Sequence, residues 1–174
     1  LGMIMGKDAA IFEKVVTLQA KHAKPGQRIE NDLQTNGTLL DDDWARFLKQ
    51  HRFLVGLSID GPREIHDHCR ITKHAEPTFD QVFAAAKMLQ KHGVRFNTLT
   101  CVHRYNASRP LDVYRFLRRE IGSTYIQFIP IVERATPELL PLVADGWGRR
   151  GDRPLYVQEG DRVTLVTYDD EAEL

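Results

Sequence analysis

Cysteine is scarce in this sequence: Cys69 and Cys101 are the only two among 174 residues. That scarcity excludes a disulfide framework and any metal cage built from cysteines of this chain alone. An excess of charge of either sign is also missing, since 24 basic residues meet 24 acidic ones. A chain so balanced lacks the electrostatic footprint of a nucleic-acid binder or of a protein held on an anionic membrane. No apolar run nears the roughly 18–20 residues that span a bilayer. The opening stretch, residues 1–6, lacks the charged flank of a signal peptide. A cytoplasmic setting is therefore expected, with neither nucleic acid nor membrane as a partner. There is no glycine-rich phosphate loop and no Ser-His-Asp order from which a hydrolytic triad could be argued. The chain does not open on methionine and is expected to be a piece of a longer protein.

What is present is an ordinary globular composition, 42% apolar and 28% charged, on a length that allows one domain with a real core. Helical spacing of Ile11, Phe12, Val15, Val16 and Leu18 predicts a first helix capped by Asp8 and running to about His22. A strand is expected near 28–34, closed by the turn Thr35-Asn36-Gly37. Asp41 or Asp42 then caps a short helix with Trp44, Phe47 and Leu48 inward. The clearest strand is 53–60, ended by Gly61-Pro62, and a polar loop follows to Pro77. Thr78 and Gln81 have capping-box spacing. The helix they open should bury Phe79, Val82, Phe83, Ala86 and Leu89 and end at Gly93. A strand over 94–102 follows, then a helix from Ser108 or Pro110 with Leu111, Tyr114 and Leu117 inward, then a strand over 125–131.

This βαβα order, with nearly continuous apolar strands, predicts an α/β fold: about four parallel strands covered by helices. Four are too few to close a barrel of eight but suffice for an open arc of a partial (β/α) barrel. The barrel portion is assigned to 1–133. From 134 the pattern breaks into a Pro-, Gly- and Arg-rich excursion, 134–174, that contains a hairpin, 155–158 with 162–166, around Glu159-Gly160-Asp161.

In such arrays ligands bind beyond the C-terminal ends of the strands. Alternation along 53–60 puts Phe53, Val55, Leu57 and Ile59 against helices. Leu54, Gly56, Ser58 and Asp60 then line the inner face. A glycine in a strand costs stability unless something needs its space. Polar residues after strands are also what loops and caps are made of, and taken alone Asn36-Gly37 and Asp60-Gly61-Pro62 are more often turns than functional residues. His66 and His68 beside Cys69 have no distant partner pair with zinc-like spacing. His22, His51, His92 and His103 read as solvated. Arg70 can clamp a carboxylate through two parallel hydrogen bonds or pair with Asp67 at the surface. Asp32, on the face of Gln34, is expected to have water or a partner, because a dry unpaired carboxylate is costly.

Taken together, residues 33–40 (Leu-Gln-Thr-Asn-Gly-Thr-Leu-Leu), 53–62 with Glu64-Ile65-His66-Asp67, Phe96-Asn97-Thr98-Leu99 and Ile126-Gln127-Phe128-Ile129-Pro130 resemble anaerobic sulfatase-maturating enzymes. Those enzymes are radical S-adenosylmethionine proteins with a C-terminal extension for further iron–sulfur clusters. The likeness covers roughly 10–134, with a looser one through the hairpin. It implies oxidation of a Cys or Ser in a sulfatase polypeptide to Cα-formylglycine, with S-adenosylmethionine, a 4Fe-4S cluster and an electron donor. A 5′-deoxyadenosyl radical derived from the cofactor abstracts hydrogen from the substrate side chain, while the protein positions and shields. By this resemblance Gln34 and Asn36 lie at the cofactor's strand-end site and Ser58 hydrogen-bonds its methionine or ribose part. Arg70 engages the cofactor carboxylate and Val132 makes a backbone contact to adenine. Asp60 and Gln127 line the cavity shared with the substrate peptide.

Three parts of the family pattern are missing from this sequence. They are the Cys-x3-Cys-x2-Cys cluster loop, the Gly-Gly-Glu-Pro loop that holds the cofactor's amino group, and the cysteine-rich extension with its proposed base. The resemblance therefore implies an enzyme when full length and no activity from this chain alone. A maturase for a different peptide, or a non-catalytic α/β peptide-binding module, are the alternative readings. Whether Cys or Ser is oxidised is left open by these residues.

Overall fold

The computed structural model describes residues 10–131, 133–134, 156–159 and 162–165. Four parallel strands form one sheet in the order β1-β2-β3-β4: β1 (Asp32–Thr35), β2 (Leu54–Ser58), β3 (Arg95–Val102) and β4 (Ile126–Pro130). The helices α1 (Ala10–His22), α2 (Asp42–Gln50), α3 (Arg63–Cys69), α4 (Phe79–Lys91), α5 (Arg104–Ala107) and α6 (Pro110–Arg119) precede or connect them. This is the expected open arc, with β1 and β4 as its edges. β6 (Tyr156–Glu159) and β7 (Arg162–Leu165) form the expected antiparallel hairpin. β5 (Glu133–Arg134) adds to it in parallel, making a second, three-stranded sheet. Asp8 and Val132 lie outside the described residues.

The core forms where the helix-side face of the sheet meets the apolar stripes of the helices. Leu33, Val55, Leu57 and Ile59 are buried against Trp44, Ala45 and Leu48 of α2, Val82, Ala86 and Leu89 of α4, and Val113, Phe116 and Leu117 of α6. A fully buried Leu or Ile contributes roughly 1.5–3 kcal/mol through area removed from water. Alternation in β2 is therefore as predicted: the helix-side residues are fully buried, while Leu54 and Ser58 are half-buried on the other side.

Several local expectations are corrected. On α6 the inward stripe is Val113, Phe116 and Leu117, and Leu111 is 61% exposed with Tyr114 also exposed. This helix is apolar on two flanks, and the one that packs is the one that brings Phe116 to Phe79 and Phe83, at 5.8 and 6.5 Å between ring centroids. On α1 only Phe12 is buried; Ile11, Val15 and Leu18 remain exposed. Residues 63–69, expected in a loop, form α3. Thr78 gives no side-chain cap to α4. Asp67 of α3 does so instead, its Oδ1 accepting from the backbone N–H groups of Thr78 and Phe79 at 3.0 and 2.8 Å. Gly93 closes α4 with the expected positive φ of 63°.

Candidate cofactor-binding site

Register decides which side chains share the inner face. Gln34 stands beside Gly56, which stands beside Asn97; Ser58 stands beside Leu99, which stands beside Gln127. In a parallel sheet, residues in register point to the same side, and residues two apart along a strand do too. Gln34, Gly56, Ser58, Asn97, Leu99, Cys101 and Gln127 therefore lie on one face. The side chains of Gln34, Ser58, Asn97 and Gln127 make no hydrogen bond among the described residues, and Gln34 and Gln127 are exposed. The structure thus brings three predicted residues, Gln34, Ser58 and Gln127, onto a common surface, together with Asn97, which sequence reasoning did not single out.

Gly56 is needed for a different reason than the one expected. A Cβ at this position would sit 2.9 Å from Leu99 Cδ1 and 3.2 Å from Gln34 Cγ. Its space is taken by a neighbouring leucine, so it opens no room for a ligand. Asp32 is exposed at the start of β1 and incurs no burial cost.

Beyond the strand ends lies an ionic hub. Asp60 follows β2 and is 2% exposed. Arg70, the C-cap of α3, donates Nε to Asp60 Oδ2 at 2.5 Å and Nη2 to Oδ1 at 3.1 Å, and Nη2 lies 3.5 Å from Cys101 Sγ. Asp60 Oδ1 also accepts the Cys101 N–H at 2.8 Å. Arg70 therefore pairs with Asp60 and not with Asp67, which is occupied as the α4 cap. Burial opposes the charge on Arg70, yet the Asp60 carboxylate, by hydrogen bond and by charge, holds the guanidinium pKa above its ordinary value. Burial pushes the Cys101 thiol pKa up, reinforced by Asp60 and opposed by Arg70, so it stays protonated at neutral pH. The Cys101 contact also ties Arg70 to the inner face, because Cys101 points to the same side as Leu99.

The backbone of this hub is held as tightly as its side chains. Asp60 N–H points to His66 Nδ1 at 3.3 Å, and Asn106 Nδ2 donates to the carbonyls of Cys101 (2.8 Å) and Asp60 (3.4 Å). His66 Nε2 is 3.1 Å from Thr78 Oγ1, and that hydroxyl donates to the Arg70 carbonyl at 2.7 Å. His66 thus has both nitrogens engaged and none left for a metal. His103 is buried as well, not solvated, and neither of its ring nitrogens has a partner among the described residues; burial pushes its pKa down. His92 also departs from the solvated reading: it is half-buried, with Nε2 2.6 Å from Asp42 Oδ1. The sequence marked Thr78 as a helix cap and His66 as a weak metal candidate, and did not mark Asn106 at all; the roles all three take here rest on contacts that local spacing does not encode.

Asn36 lies in the turn after β1, exposed, with its Oδ1 accepting from Thr38 N–H at 3.2 Å and from the Thr38 hydroxyl at 3.0 Å. The turn reading of Asn36 is thus realised, and its Nδ2 remains without a partner among the described residues.

Among the described residues no group of three or more His, Cys, Asp or Glu is arranged to hold a metal ion. Cys69 and Cys101 form no disulfide. Nor is any described helix long and apolar enough to cross a membrane.

A parallel βα array with its polar face at the strand ends is shared by many families, and comparison with known proteins decides among them. The model of the radical SAM superfamily matches residues 5–117. The chain belongs to the radical SAM superfamily. Over 133 residues this radical SAM chain is 45% identical to the serine-type anaerobic sulfatase-maturating enzyme of Bacteroides thetaiotaomicron, covering 76% of this chain and 32% of that protein. Over 119 residues it is 45% identical to the cysteine-type anaerobic sulfatase-maturating enzyme of Clostridium perfringens, covering 68% of this chain and 32% of that protein. The structure of native anSMEcpe with bound AdoMet and the Cp18Cys peptide matches with a TM-score of 0.68 at 42% identity, covering 71% of this chain and 34% of that one. The likeness read from the strand motifs is upheld by these matches, and so is the partial-barrel architecture. The radical SAM chain spans about a third of the length of the curated relatives it matches.

Proposed function

We propose that this chain is the central part of the barrel of a radical SAM enzyme that oxidises a Cys or Ser of a sulfatase polypeptide to Cα-formylglycine. The observation that carries the reading is the single sheet face on which Gln34, Ser58 and Gln127 meet, with the Arg70 guanidinium just beyond it. Relatives of both the serine and the cysteine type match at the same identity, so this part of the barrel does not favour either substrate residue.

The residues present fit the polar end of S-adenosylmethionine. Ser58 offers a hydroxyl without a partner among the described residues, and Arg70 offers N–H groups suited to a carboxylate. Gln34 and Asn36 stand at the end of β1, on the cofactor side of the site. Gln127, exposed on β4, is placed to contact the peptide, and Val132 is proposed for the adenine contact. When bound, the cofactor supplies the hydrogen-abstracting chemistry; these residues bind and orient it. The residues do not fit the 4Fe-4S cluster. Two cysteines on different elements cannot supply three ligands, so the cluster belongs to a loop outside residues 1–174. A cytoplasmic setting and an external electron donor complete the reading.

The test is anaerobic reconstitution of the whole polypeptide that carries this chain, with a sulfatase-derived peptide as substrate. Consumption of S-adenosylmethionine with appearance of a peptide aldehyde is expected. Peptide binding with a reconstituted cluster but no cofactor consumption would overturn the enzyme reading and sustain a non-catalytic peptide-binding module. A product at another side chain would mark a maturase for a different peptide.

A further inference from the structure

Arg70 has five N–H donors. Nε and one Nη2 hydrogen go to Asp60, and the other Nη2 hydrogen faces Cys101 Sγ. The two hydrogens on Nη1 have no partner among the described residues. Asp60, for its part, has little left to offer a substrate. It is 2% exposed, and of the roughly four acceptor positions of a carboxylate, three are taken by Arg70 Nε, Arg70 Nη2 and the Cys101 N–H. Its own backbone is pinned by His66 and Asn106, and the Arg70 backbone by Thr78 and by the hydrogen bond from Arg70 N–H to the His66 carbonyl at 2.9 Å.

We propose that Asp60 is a positioning residue that aims Arg70, so that Nη1 is the edge presented to the carboxylate of S-adenosylmethionine, and that Asp60 does not itself touch the peptide. This rests on the function proposed above. A long arginine side chain left unheld would lose rotamer freedom on each binding event. Held by two parallel hydrogen bonds at one edge, it meets its ligand already oriented.

The test is a double-mutant cycle in the cluster-reconstituted whole polypeptide, using Asp60→Asn, Arg70→Lys and the double variant. The dissociation constant for S-adenosylmethionine is measured by equilibrium binding without turnover, the Michaelis constant for the peptide is read separately, and melting temperatures confirm folding. Asn keeps an acceptor for the Cys101 N–H, which protects the fold. Asp60→Asn is expected to raise the cofactor constant about tenfold and leave the peptide constant unchanged. The double variant should be no worse than Arg70→Lys alone, because Asp60 acts only through Arg70. An unchanged cofactor constant, a change confined to the peptide, or additive effects in the double variant would overturn the proposal. Should Asp60→Asn not fold, Asp60→Glu takes its place; it restores the pair imperfectly and should raise the same constant by a smaller factor. A wild-type polypeptide that does not bind S-adenosylmethionine would take down the functional reading and this inference with it.

Discussion

His66 Nε2 and Thr78 Oγ1 lie 3.1 Å apart in the buried floor of the site, and the hydroxyl hydrogen of Thr78 is already committed to the Arg70 carbonyl. A carbonyl only accepts, so Thr78 must donate to it and accept from His66. His66 is therefore neutral, with its proton on Nε2, and its Nδ1 accepts the Asp60 N–H. One hydrogen-bonded path, Asp60 to His66 to Thr78 to Arg70, closes the segment that carries the hub.

Burial pushes the His66 pKa from 6.5 down to about 4, against the raising pull of Asp60. The folded state thus binds the proton less readily than the unfolded state. The stability this site contributes is complete above 6.5, declines as pH falls, and is lost at about 4. The difference corresponds to on the order of 3 kcal/mol. Urea unfolding between these pH values should show that loss in the wild type and a flatter dependence in His66→Gln. A wild type equally stable at both ends would contradict the assignment, as would nitrogen chemical shifts placing the proton on Nδ1.

Capping of α4 separates two readings of the same residues. Asp67→Ala should cost about 1 kcal/mol, the usual value of a lost helix cap. Gln81→Ala should change stability by less than about 0.5 kcal/mol, as at an ordinary surface position. Denaturant midpoints measure both, and the reverse ranking would restore the capping box.

Gly56→Ala should destabilise by about 1–3 kcal/mol through overpacking against Leu99. Combining it with Leu99→Val, which removes the offending Cδ1, should cost less than the sum of the two single changes. Additive losses in chemical denaturation would show that Leu99 is not what fills the glycine's space.

Ser58 and Gln127 are assigned to different ligands. Ser58→Ala should raise the Michaelis constant for S-adenosylmethionine about tenfold, in keeping with one lost hydrogen bond to a charged group, with the peptide constant unmoved. Gln127→Ala should do the opposite. Steady-state kinetics of the whole polypeptide, varying each substrate in turn, distinguish the two.

The parallel order of strands, the buried side of β2 and the hairpin near 156–165 were legible in the sequence. Each follows from short-range periodicity or from a turn signal. α3 was not, because a seven-residue helix whose buried side chains are Ile65 and His66 carries too few apolar positions to show a period. The inward face of α6 is ambiguous in the sequence for the opposite reason. Its sequence has apolar residues on two flanks, and only contact with Phe79 and Phe83 selects one.

What the sequence by itself determined is which residues lie on which side of each strand, since alternation is a property of the backbone. The tertiary structure alone decided that Arg70 pairs with Asp60 and not with the nearer Asp67, that His66 is a neutral link rather than a ligand, and that Leu99 fills the space above Gly56. These partners are set by how the crossover helices and neighbouring strands pack in register, and no local pattern in the chain carries that distance information.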